Sequence, residues 1–195
     1  NSDENEPSYA LHYDMTVPMA RYVAANINQL NFPFKRYQMQ KAWRGERPQD
    51  GRFREFLQCD IDVVDTRPIP LHFDAEIPII MHEAIEAIGA GPLTTKINNR
   101  KILEGFYFGL GVSDTTNILR IIDKLDKIGT DGVTTMLSNE LELSAKTIDK
   151  ILNLATIKGS GESVINRIKD LDVKSDLLHE GLDELKFVMQ QLEKH

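Results

Sequence analysis

Two runs rich in aromatic and β-branched residues, Phe32 to Arg44 and Arg52 to Asp65, flank the seven-residue stretch Gly45-Glu46-Arg47-Pro48-Gln49-Asp50-Gly51. Strand-like runs joined by a short loop with Gly and Pro read as a long antiparallel hairpin, residues 32–65. Side chains alternate across a sheet with period two, so each face of the second strand can be read separately. Its odd positions, Phe53, Glu55, Leu57, Cys59, Ile61 and Val63, predict a mostly buried face. Its even positions, Arg52, Arg54, Phe56, Gln58, Asp60 and Asp62, predict a polar face with an aromatic platform in it. Such a face suits a charged ligand, although a wet sheet face with one stray Phe is the plainer alternative.

The charge pattern singles out the same region. The chain carries 30 acidic against 23 basic residues, a net charge of −7. Between Lys35 and Arg54, however, seven bases stand against only Glu46 and Asp50, a local +5. A basic island in an acidic protein is a candidate seat for a nucleotide or nucleic acid, with a solvated basic surface as the alternative.

Upstream of the hairpin, the spacing of Ala20, Val23, Ala24, Ile27 and Leu30 predicts a helix from about Val17 to Leu30, with Thr16 as N-cap and Pro18 in the first turn. Downstream, a helix is expected from about Ala75 to Ile88, stopped by Gly89 and Gly91, followed by a short extended piece, Leu93 to Ile97. From Arg100 the pattern becomes helical throughout: Lys101 to Leu110, Thr115 to Ile128, Val133 to Leu141, Ser144 to Ile157, Ser163 to Leu171 and Asp176 to Leu192. The fold class expected is α+β, with a mixed part over residues 1–99 and an all-α part over residues 100–195.

Several classes are excluded at once. An apolar fraction of 41% with 27% charged residues belongs to a core-forming chain. Apolar stretches such as Ile77 to Met81 are too short to span a bilayer. The start, Asn1 to Glu6, is acidic and unlike a secretory signal, and the single Cys59 allows no internal disulfide, so a cytoplasmic setting is expected. The chain does not begin with Met, which suggests a piece of a longer protein. P-loop, Rossmann and zincin motifs are missing. No metal site is expected, because His72 and His82 beside Asp74 and Glu83 fit surface or core roles better than zinc ligation. Asp123 and Lys127 have the i,i+4 spacing of a helix-supporting ion pair.

The hairpin sequence Trp43-Arg44-Gly45-Glu46-Arg47-Pro48-Gln49-Asp50-Gly51-Arg52-Phe53-Arg54-Glu55-Phe56-Leu57-Gln58 resembles motif 2 of class II aminoacyl-tRNA synthetases, in the form used by histidyl-tRNA synthetases. Leu11-His12-Tyr13-Asp14-Met15-Thr16 is similar to that family's Leu-Arg-(Tyr/Pro)-(Asp/Glu)-x-Thr segment, and Ile97 to Leu103 and Ile122 to Gly129 also resemble it. Together these stretches cover most of Leu11 to Gly129.

The resemblance implies a partial class II antiparallel sheet with flanking helices, followed by the family's helical insertion domain. It implies ATP-dependent ligation of histidine to tRNA(His) through a histidyl-adenylate, with Mg2+ on the phosphates. Arg44 would meet the α-phosphate as the catalytic cation, Glu46 the adenine amino group, Phe56 the adenine ring and Arg52 the outer phosphates. Asp14 and Thr16 would take the substrate ammonium, and Gln58 and Asp62 would make further contacts to the histidine. These residue types suit those tasks: a cation eases attack of a carboxylate on an anionic phosphorus, an aromatic ring stacks on a base, and acceptors hold an ammonium and an imidazole.

The chain departs from the family in having His12 where Arg is usual, and in lacking motif 1, the Leu-x-Arg-Gly-Leu-x-Tyr-Tyr segment, motif 3 and the anticodon-binding domain. An internal fragment is therefore expected, inactive or weakly active alone, from a protein that is a homodimer at full length. Neither DNA nor a membrane is implied as partner. Two alternatives fit the sequence less well. The synthetase-like regulatory subunit of ATP phosphoribosyltransferase tends to lose the motif 2 residues that Arg44, Glu46, Phe56 and Gln58 retain here. A tRNA-binding module gains little from residues 121–195, where 14 acids face 10 bases.

Overall fold

The computed structural model describes residues 10–195, so the acidic start Asn1 to Glu6 lies outside the described residues. Helix α1 (Thr16–Ala25) leads into strands β1 (Phe34–Trp43) and β2 (Glu55–Val64), and helices α2 (His72–Ile88) to α8 follow. Two compact units result, one ending at Phe73 and the other running Asp74–His195.

The first unit is organised by the hairpin. β1 and β2 pair antiparallel, with Arg36 opposite Asp62, Gln38 opposite Asp60, Gln40 opposite Gln58 and Ala42 opposite Phe56. The backbone amide of Arg44 donates to Arg54 O at 2.9 Å, and Gln49 and Arg52 bridge across the loop.

Over residues 55–60 the expected burial of the two faces is reversed, whereas Ile61 and Val63 are half-buried like Asp60 and Asp62, and Arg52 and Arg54 are exposed. On the odd face Phe53 and Leu57 are 69% and 66% exposed, and Tyr37, Met39 and Cys59 are also exposed. The even positions Phe56, Gln58, Asp60 and Asp62 are half-buried. The reason is tertiary: the segment Tyr13 to Met15 lies along the even face, reaching Arg44 at one end and Arg36 at the other. His12, just before that segment, buttresses the edge of β1, where Trp43 N donates to His12 O at 3.1 Å and the His12 ring meets Lys41 O at 2.7 Å.

Helix α1 is shorter than the apolar spacing suggests. The side chain of Asn26 donates to Tyr22 O at 2.8 Å and its backbone amide bonds the same carbonyl, a local side-chain closure that competes with further helix. Thr16 is the first helical residue and not the cap. The capping acceptor is the Asp14 carboxylate, whose Oδ1 takes the amides of Thr16 and Val17 at 3.1 and 3.3 Å.

Helix α2 starts at His72, three residues before the expected Ala75, and keeps Pro78 inside it. The expected extended piece, Leu93 to Ile97, forms no strand, since no second strand is offered to it among the described residues.

The second unit is helical: α3 (Arg100–Gly109), α4 (Thr115–Ile122), α5 (Leu125–Leu141), α6 (Ala145–Ala155), α7 (Glu162–Lys169) and α8 (Asp176–Leu192). Asn99, Asp114, Ser144 and Ser175 cap α3, α4, α6 and α8 through their side chains. Gly129, at φ 70° and ψ 179°, kinks α5 with a backbone that an L side chain would strain. The chain also breaks at Asp123 and Lys124, so Asp123 and Lys127 do not share the continuous helix that an i,i+4 pair needs.

Ile102, Phe106, Ile118, Ile121, Val133, Leu137, Ile148, Ile151, Ile165 and Leu178 form the core of this unit. Helices α3 and α8 approach closely because Gly105 and Gly181 lie at their contact. A Cβ on Gly105 would fall 2.3 Å from Leu178 N, and one on Gly181 would fall 2.8 Å from Ile102 N. Lys101 tethers the same pair by contacts of 2.6 Å to Glu180 and 2.5 Å to Glu184. No helix among the described residues is long and apolar enough to cross a membrane.

Candidate functional site

Period-two geometry places Arg36, Gln38, Gln40, Ala42 and Arg44 of the first strand run on the same face as Phe56, Gln58, Asp60 and Asp62 of the second. Arg44 is the hub. Its guanidinium lies 4.7 Å from the Tyr13 ring centroid and 5.0 Å from that of Phe56. Nε donates to Tyr13 O at 3.4 Å, and a terminal nitrogen donates to Gln58 Oε1 at 3.2 Å. Gln58 in turn donates to the Asp60 carboxylate at 2.9 Å. A cation held by two rings, a carbonyl and an amide has little freedom, which is what an electrostatic catalyst requires.

Further along the same face, Arg36 packs against Asp62 with a nitrogen–oxygen distance of 2.8 Å, their side chains 12% and 23% exposed. Arg36 also donates to Met15 O at 3.3 Å and to Gln38 Oε1. Despite the short ionic contact, Asp62 Oδ2 and Arg36 Nε are buried without a hydrogen bond, because the pair is close but misaligned.

At the loop end, Arg52 and Glu46 form an ion pair at 2.9 Å, with side chains 61% and 45% exposed. A pair so open to water contributes about 0–1 kcal/mol and exchanges readily for another partner. Behind the face, Glu55 accepts from Lys41 at 2.6 Å and from Trp43 Nε1 at 2.8 Å. The Lys41 and Trp43 hydrogen bonds, followed by the Lys41 charge, hold the Glu55 carboxyl below its ordinary range.

Arg44, Phe56 and Gln58 are thus brought together, with Asp62 further along the same strand and Asp14 and Thr16 at the start of α1. Arg52 and Glu46 meet each other on the loop. Sequence reasoning missed Tyr13 and Arg36. The signal for Arg36 was its even register in the basic island; for Tyr13 it was only adjacency to Asp14.

The histidyl-tRNA synthetase family model matches residues 2–195. The histidine–tRNA ligase of Thermobifida fusca (strain YX) is 50% identical over 190 residues, covering 97% of this chain and 43% of that relative. That of Cutibacterium acnes (strain DSM 16379 / KPA171202) is 47% identical over 188 residues, covering 94% and 41%. The crystal structure of histidyl-tRNA synthetase from Nostoc sp. PCC 7120 superposes with a TM-score of 0.86 at 38% identity, covering 97% of this chain and 44% of that one. An ATP phosphoribosyltransferase regulatory subunit/histidyl-tRNA synthetase from Bacillus halodurans C shares the fold, with a TM-score of 0.76 at 20% identity over 94% and 46% of the two chains. The chain spans about two fifths of the length of the curated relatives it matches. Its hairpin motif, its α+β fold and these matches agree: the chain belongs to the histidyl-tRNA synthetase family.

Proposed function

We propose that this chain supplies the motif 2 hairpin and the helical insertion of a cytoplasmic, homodimeric histidine–tRNA ligase. The protein activates histidine with ATP, releasing pyrophosphate, and passes the histidyl group to a ribose hydroxyl at the 3′ end of tRNA(His). The reading is carried by one observation above all, the convergence of Arg44, Phe56 and Gln58 on the covered face of the hairpin.

In this reading Arg44 stabilises charge at the α-phosphate as the carboxylate attacks, and Tyr13 and Gln58 keep it from reorganising. Phe56 stacks on adenine and Glu46 accepts from its amino group. Arg52 leaves its weak pairing with Glu46 for the outer phosphates, where the gain in opposite charge is larger. ATP enters with Mg2+ on its phosphates, as part of the substrate. The Asp14 carboxylate is fixed by the amides of Thr16 and Val17, so its direction toward an ammonium is set in advance. Gln58 and Asp62 hold the remainder of the histidine. Residues 1–99 form the partial catalytic domain, and residues 100–195 form an insertion domain that meets the tRNA acceptor arm.

The test is calorimetric binding of a non-hydrolysable histidyl-adenylate analogue to the natural gene product that carries this chain, repeated with Arg44→Ala and Gln58→Ala. Histidine-selective binding that both substitutions abolish supports the reading. Binding that both variants retain, or that an analogue with a different amino acid matches, overturns it.

A further inference from the structure

Arg36 has no part in the assignment above, yet it touches both ends of the proposed histidine subsite. Its guanidinium donates to the carbonyl of Met15, which stands between Asp14 and Thr16, the residues proposed for the ammonium. The same group lies 2.8 Å from Asp62, one of the two residues proposed for the remainder of the histidine. Both partners are anchored. Met15 is fully buried ahead of α1, and Asp62 is Arg36's cross-strand neighbour in the sheet. Gln38 holds the other terminal nitrogen of Arg36.

The charge of Asp62 is therefore opposed at close range, while its Oδ2 remains a buried acceptor with no hydrogen bond. Oδ2 itself is closed off by Arg36, so a ligand N–H meets this carboxylate on the part of the side chain that stays exposed, 23% of it. An isolated carboxylate beside Asp60 would favour a cationic side chain, whereas one already opposed by a guanidinium favours a neutral donor. Imidazole at neutral pH is mostly such a donor.

We propose that Arg36 is a positioning residue for histidine specificity, fixing the separation between the ammonium and imidazole ends of the subsite and matching Asp62 to a neutral imidazole N–H. The inference rests on the proposed function, and its test separates the two. In histidine-dependent pyrophosphate exchange by the natural gene product, Arg36→Met raises the KM for histidine on the order of 10- to 100-fold, as misplacement of a contact by about 1 Å does. Arg36→Lys, which keeps the charge but not the fork, raises it less. The KM for ATP stays within about twofold in both variants, since Arg44 and Phe56 are untouched. An unchanged histidine KM in Arg36→Met, or equal rises for histidine and ATP in both variants, overturns the inference. An unsubstituted protein with no histidine-dependent exchange overturns the proposed function and the inference with it.

Discussion

The guanidinium of Arg44 rests 5.0 Å from the ring centroid of Phe56, so the cation proposed for the α-phosphate and the ring proposed for the adenine are in contact before any ligand arrives. Tyr13 closes the other side of the guanidinium at 4.7 Å. Adenine stacking and phosphate binding are then coupled through a shared contact, and substitutions at either residue are expected to affect both.

Phe56→Leu keeps an apolar side chain but removes the π face. Base–aromatic stacking is worth about 1–3 kcal/mol, so the ATP KM in pyrophosphate exchange should rise roughly 5- to 150-fold. The histidine KM should move much less. A histidine KM that rises as far as that for ATP would contradict the assignment of Phe56 to the base.

Gly105→Ala places a methyl group against the backbone of Leu178, which cannot rotate away. The expected loss of stability is about 1–3 kcal/mol, read as a lower urea midpoint. Gly45→Ala, with nothing within 4 Å of the new Cβ, serves as the control and should stay within about 0.5 kcal/mol.

The bridge between α3 and α8 has a defined pH dependence. Lys101, followed by Asn99, holds the Glu184 carboxyl below its ordinary 4.5 against the opposing effect of desolvation. A depressed folded value contributes stability that is present above 4.5 and is lost as the pH falls through the folded value. The urea-midpoint gap between the parent and Glu184→Gln should therefore be open at neutral pH and shrink on acidification below 4.5. A gap that stays constant into strong acid would remove the ion pair as its cause.

Tyr107 sets the alkaline side. Burial, followed by the charge of Asp123, pushes its phenol from 10.0 up to about 12. A raised value on an acid means that folding favours the protonated form, so this contribution is intact below 10.0 and disappears as the pH rises toward 12. Tyrosinate absorbance should show one phenol titrating late, and Tyr107→Phe should remove that late step. A late step that survives in Tyr107→Phe would place it on another tyrosine.

Local periodicity and punctuation determined most of the elements. The helix Asp176 to Leu192 is found to the residue, because its apolar spacing and its Ser175 cap lie within a few turns of one another. The hairpin and its polar even face were equally legible, since loop and alternation are local. The motif 2 resemblance fixed the family, because its residues are contiguous in the chain.

Burial was decided elsewhere. Odd and even faces of a strand carry no label for solvent, and the segment Tyr13 to Met15, 21 to 31 residues before its partners Arg36 and Arg44, determines which face is covered. Register was decided elsewhere too. A hairpin folded symmetrically about Pro48 would set Arg36 opposite Asp60, whereas the observed pairing sets it opposite Asp62. Only three-dimensional packing could show that Tyr13 lies against Arg44 and that Arg36 reaches both Met15 O and Asp62, because each contact joins residues 21 to 31 positions apart in sequence.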